Sequence, residues 1–182
     1  MLLRQIVVSA LLIVSASLVS AKEYQIEAIV FANNQPQTAY ESTQYQTIAE
    51  LESEAETWFL EPSMLLEELE ALEGAENYRV LAHLSWGQEA LPSSEAAIYQ
   101  ITEPEFAGWI KVYAGHLLFA NLDIDFNGYR MNEKRRLKLN EKHFFDHPKF
   151  GVLLRVSRLE QEEDEEGDLE DTSSNADVES SR

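Results

Sequence analysis

Apolar and polar residues alternate with period two along most of the chain, as strands do, and turn-forming residues interrupt the pattern. In Tyr24–Ala32 (YQIEAIVFA), Tyr24, Ile26, Ala28 and Val30 alternate against Gln25 and Glu27, which predicts a strand with one well-buried face. Asn33–Thr38, with Pro36, breaks it. The stretch Tyr40–Thr57 is rich in Glu, Gln and Ala and reads as either helix or ordered loop. In Ser63–Glu73 the period changes. Leu65, Leu69 and Leu72 share one helical face, Pro62 stands at the entrance and Gly74 follows as a C-terminal cap. Period two returns in Tyr78–Trp86, with Tyr78, Val80, Ala82, Leu84 and Trp86 on one side, and a short strand is expected at Ala97–Ile101. Gly108–Phe126 is too long for one flat strand and predicts a hairpin, or two strands kinked near Ala114–Gly115. Tyr129–Leu139 and Phe150–Arg158 are the last two strands, with Asn140–Lys149 as the loop between them. The expected class is α+β, a mainly antiparallel sheet of about five to seven strands with one or two helices packed on it.

The N-terminus adds a compartment. In residues 1–21 Arg4 precedes an apolar run from Ile6 to Val19, and Val19 and Ala21 are the small residues of a cleavage site after Ala21. The run is short for a membrane span of about 20 residues, so an exported protein with no stable membrane anchor is expected. Residues 22–159 then form a single α+β domain. Residues 160–182 contain eleven acids, one Arg and almost no apolar side chains, which predicts a disordered acidic tail. The chain has no Cys, which excludes disulfides, thiolate metal sites and a Cys nucleophile. A net charge of −19 argues against nucleic acid as a partner. No G-x-S-x-G, H-E-x-x-H or Walker loop is present, so no enzyme chemistry and no cofactor are indicated.

The acidity hides an asymmetry. Residues 22–128 carry 19 acids and three bases, whereas residues 129–159 carry three acids and nine bases. Arg130, Lys134, Arg136 and Lys138 fall at even spacing and share one strand face, opposite Tyr129, Met131, Glu133, Arg135, Leu137 and Leu139. Such a ridge needs nearby acids, Asp123 and Asp125 among them, or an anionic ligand to offset its self-repulsion. Arg135 and Arg136 are the better candidates for carboxylate recognition, because a guanidinium grips a carboxylate through two parallel hydrogen bonds. Beside them lies Glu141–Lys142–His143–Phe144–Phe145–Asp146–His147–Pro148. His143, Asp146 and His147 could suggest zinc, but Pro148 disfavours the helix that this spacing requires, so a turn held by local hydrogen bonds is expected and no metal. The candidate ligand-binding set is therefore Arg130, Lys134, Arg135, Arg136, Lys138, Glu141, His143, Asp146, His147 and Arg155. Trp86 and Trp109 are weaker candidates for stacking on sugar rings, and Trp86 falls on the apolar side of its strand.

The segments YQIEAIVF, YRVLAHLSWGQ, GWIKVYAGHLLFANLDIDF and, above all, RRLKLNEKHFFDHPKFGVLLRV resemble the CsiV family of small periplasmic peptidoglycan-binding proteins. The resemblance runs from Tyr24 to about Val156. It implies a non-enzymatic protein of the Gram-negative periplasm that binds peptidoglycan. It also implies help to a class A penicillin-binding protein through that enzyme's outer-membrane lipoprotein activator. Two other readings stay open at this point: a pure protein–protein adaptor, and a metal-dependent wall hydrolase built on His143, Asp146 and His147.

Overall fold

The computed structural model describes residues 22–34 and 48–159. The expected signal segment, the expected acidic tail and residues 40–47 of the Tyr40–Thr57 stretch lie outside the described residues, and residues 48–56 of that stretch contain no helix. In chain order the elements are β1 (Glu23–Asn33), β2 (Thr57–Phe59), α1 (Leu66–Glu73), β3 (Tyr78–Glu89), β4 (Tyr99–Thr102), β5 (Phe106–Ala114), β6 (Leu118–Phe126), β7 (Tyr129–Leu137), β8 (Lys142–His147) and β9 (Phe150–Arg158). They form two antiparallel sheets rather than one, with strand orders β2-β3-β1-β9-β8 and β4-β5-β6-β7. The α+β class holds, but the described residues contain nine strands, more than the five to seven expected.

The two sheets pack face to face. Ile26, Ala28 and Val30 of β1, Trp86 of β3 and Val152, Leu154 and Val156 of β9 meet Ile110, Val112, Ala120, Leu122 and Ile124 of the smaller sheet in one buried core. Trp86 is core, as its strand position predicts. Its indole Nε1 donates to Gln88 Oε1 (3.0 Å), and Gln88 Nε2 donates to the Val112 carbonyl across the sandwich (2.8 Å). A second, smaller cluster lies on the far side of the larger sheet, where Ile29 and Phe31 meet Leu65, Leu69 and Leu72 of the helix region. β1 is thus the central strand of a helix–sheet–sheet stack and is buried on both faces, which accounts for its almost unbroken apolar run.

Two expectations need correction. The single apolar side drawn for Tyr78–Trp86 is split, because the register between β1 and β3 shifts between Val30 and Phe31. Ala82, Leu84 and Trp86 keep to the sandwich core, while Val80 crosses to the helix side and the Tyr78 ring meets Phe31 there. The presumed loop Asn140–Lys149 contains β8, which pairs with β9 from Lys142↔Arg155 to His147↔Phe150 around the two-residue turn Pro148–Lys149. An edge strand needs only one buried row, and Phe145 supplies it between His143 and His147 of the same face. The Gly108–Phe126 stretch is a hairpin, as expected, and β6 returns to β7 through Asn127–Gly128, both at positive φ (52° and 87°). Gly108 itself, at φ +149°, lies against the Asp123 backbone, where a Cβ would clash.

Candidate functional site

Register determines where each basic residue goes. Lys111 (β5), Asn121 (β6) and Lys134 (β7) lie in one row across the outer face of the four-stranded sheet, and Tyr113, Phe119 and Arg136 form the next. The backbones of Lys111 and Lys134 are two strand spacings apart, roughly 10 Å. Tyr113 and Phe119 stack at 5.6 Å, and Lys134 Nζ sits 5.5 Å from each ring centroid. Among the described residues Lys111, Lys134 and Arg136 make no ion pair. Lys111 was not among the expected residues, although its place between Trp109 and Tyr113, out of phase with Ile110 and Val112, marks it as facing outward.

The other candidate cations have partners. Arg130 grips Asp123 through both Nε (2.6 Å) and Nη2, and Asp123 is 1% exposed. That carboxylate raises the Arg130 pKa above its ordinary value. Arg135 points the opposite way from Arg136. Its Nη2 donates to Glu133 Oε2 (3.0 Å), its Nη1 donates to the Phe144 carbonyl, and its guanidinium lies 4.8 Å from the Phe145 ring centroid. It therefore joins β7 of one sheet to β8 of the other. Lys138 lies just past β7, where its Nζ pairs with Glu141 Oε1 (3.0 Å) and its backbone N–H donates to His143 Nε2 (3.0 Å). His143 and Glu141 thus tie the crossing between the sheets.

Arg155 faces the helix, not solvent. It is the register partner of Glu27, and its Nη1 donates to the Met64 carbonyl (3.0 Å). Glu27 is fully buried and accepts hydrogen bonds from the backbone N–H groups of Ser63 (2.9 Å), Met64 (2.7 Å) and Leu65 (3.0 Å), with His83 Nε2 at 2.6 Å. Burial pushes the Glu27 carboxyl pKa up, but these donors outweigh it and hold it below the ordinary carboxylate range. On the same face Lys142 pairs with Glu68 of α1 and lowers that carboxyl's pKa.

β8 turns its residues alternately. Phe145 is buried in the sandwich core, whereas Phe144 is half exposed on the helix side. Phe144 stacks parallel to Phe31 (5.9 Å), and Phe31 meets Tyr78 edge to face (5.4 Å). His147 Nδ1 accepts the Lys149 N–H (3.2 Å), and its ring packs on Phe150 (5.0 Å). In extended chain His143 and His147 stand about 13 Å apart, too far to share an ion. No group of three or more His, Asp or Glu among the described residues could hold a metal. Trp109, offered as a sugar-stacking residue, is covered, and its Nε1 donates to the Ala49 carbonyl (3.0 Å).

No helix among the described residues is long and apolar enough to cross a membrane. No curated protein and no solved structure matches the chain. Residues 116–159, which span β6 to β9 and carry Lys134, Arg136 and the Phe144 edge, match the family described as peptidoglycan-binding protein, CsiV, and this match supports a peptidoglycan-binding role.

Proposed function

We propose that this is a non-enzymatic peptidoglycan-binding protein of the periplasm that meets the wall with the open face of its four-stranded sheet. The observation that carries the reading is that the family match covers the strands presenting Lys134 and Arg136, cations with no acid partner among the described residues. With Lys111 beside them, they offer charge to the carboxylates of the stem peptides, while Tyr113 and Phe119 stiffen the base of the patch. The finer role, assisting a class A penicillin-binding protein through its outer-membrane lipoprotein activator, rests on the family resemblance.

Co-sedimentation with purified sacculi tests the reading. The protein should pellet at low salt and lose binding steeply toward physiological salt, because exposed charges are screened over about 8 Å there. The double variant Lys134→Glu/Arg136→Glu should stay in the supernatant with an unchanged melting curve. Pelleting of that variant at low salt would remove the charged face from the proposal. Pull-down of the purified activator in the absence of sacculi tests the finer role.

A further inference from the structure

The register shift in β3 has a consequence at the β8 edge. It brings Tyr78 beside Phe31, and together with Phe144 these rings line a pocket of about 320 Å³, at the small end for ligand sites. Asn33, Asp146, His147, Pro148 and Phe150 line the rest of it. Tyr78 and Phe144 are 40% and 45% exposed, a large apolar surface to leave in water at the rim of a cavity. The rings approach each other because Gly151 lies beside them. A Cβ there would come within 2.7 Å of Phe31 and 2.8 Å of Phe144. Arg135 holds the Phe144 carbonyl from the other sheet and so fixes the edge that carries the outer ring. The Asp146 carboxylate accepts no hydrogen bond and makes no ion pair among the described residues.

We propose that this pocket is a glycan subsite, which holds one N-acetylated amino sugar of the peptidoglycan backbone. The inference rests on the peptidoglycan-binding function proposed above and assigns a second, chemically different contact to it. A pyranose ring has an apolar C–H face that packs on an aromatic ring, and its hydroxyl and acetamide groups project at the edges. The pocket is lined by aromatic rings with the Asp146 carboxylate as an acceptor beside them, which is the complementary arrangement. A stem-peptide carboxylate is the poorer occupant, because Asp146 would repel it, Lys111, Lys134 and Arg136 sit on the other sheet, and Lys149 of the adjacent turn holds its ammonium over the Tyr129 ring. Phe144, Asp146 and Gly151 all fall inside the matched segment 116–159.

The test is titration of the protein with the soluble tetramer of N-acetylglucosamine, followed by backbone amide resonances, in parallel with sacculus pelleting. The Asp146 and Gly151 amides should shift on saturation. Phe144→Ala and Tyr78→Ala should each weaken tetramer binding at least tenfold, while Phe144→Trp retains it, and melting curves will show that the variants fold. Sacculus pelleting with no tetramer-induced shifts at Asp146 and Gly151 would overturn the subsite and leave the wall-binding function standing. Shifts there with a muramyl tripeptide's stem portion alone, and none with the tetramer, would also overturn it. Failure of the wild type to pellet would sink the wall-binding function, and the tetramer titration would still decide the subsite.

Discussion

The two sheets share one core, but their outward faces treat charge in opposite ways. On the helix-covered face of the five-stranded sheet, Glu27 is buried beneath the start of α1, Arg155 is tied to the Met64 carbonyl, and Lys142 is paired with Glu68. On the open face of the four-stranded sheet, Arg130 is bound to Asp123, while Lys111, Lys134 and Arg136 have no acid among the described residues. Charge under a covering layer has to be matched, because desolvation makes an unpaired group costly, whereas charge facing water can stay available for a ligand. The first face therefore holds the fold together, and the second is suited to binding.

The largest effect should come from the covered face. Glu27→Gln keeps the shape but turns an amide toward backbone donors, and should cost about 3–5 kcal/mol, the range for breaking a buried charged network. That corresponds to a fall in Tm of roughly 10 °C, read by circular dichroism. A wild-type melting curve for this variant would break the comparison.

Acid should act on the same carboxyl. Because the folded pKa of Glu27 lies below its unfolded value, its contribution to stability is complete above the ordinary carboxylate value of about 4.3 and is lost as pH falls through the folded value. The Tm of the wild type should therefore drop on acidification below about pH 4.3, and Glu27→Gln should show a shallower drop.

Two adjacent arginines sharpen the contrast at single-residue resolution. Arg135→Met removes the bond to the Phe144 carbonyl and the contact with the Phe145 ring, and should cost about 1–2 kcal/mol. Arg136→Met should leave the melt within about 0.5 kcal/mol and instead weaken sacculus pelleting. Equal effects of the two on the melt would contradict the opposite roles assigned to them. A small loss of stability that depends on salt is expected for Lys142→Ala. Its partly exposed pair with Glu68 is worth no more than about 1 kcal/mol, and raising the salt concentration should erase the difference.

Much of this was legible in the residues. Alternation identified the core side of β1 and β6, and the Leu65, Leu69, Leu72 spacing identified the helix and the face it buries. The turn at Asn127–Gly128 carries the strongest short hairpin signal in the chain, and the expected strands end and begin on either side of it. β8 was hidden because an edge strand with one buried Phe among His, Asp and Pro has the composition of a loop. Lys138 lies past β7 and pairs with Glu141, whereas Arg130, Lys134 and Arg136 share one face as the basic ridge. Lys111 joins it from another strand, and Arg130 leaves it for a buried aspartate.

The chain by itself determined which side of each strand is apolar, where the hairpins turn and where positive charge accumulates, because all three follow from neighbours a few residues apart. Only the tertiary structure decided that the strands divide into two sheets, that one extra residue in β3 carries Tyr78 to Phe31, and which cations remain unpaired. Those outcomes depend on groups distant in sequence meeting across a sheet or beneath a helix, where burial and register, rather than local pattern, set which contacts form.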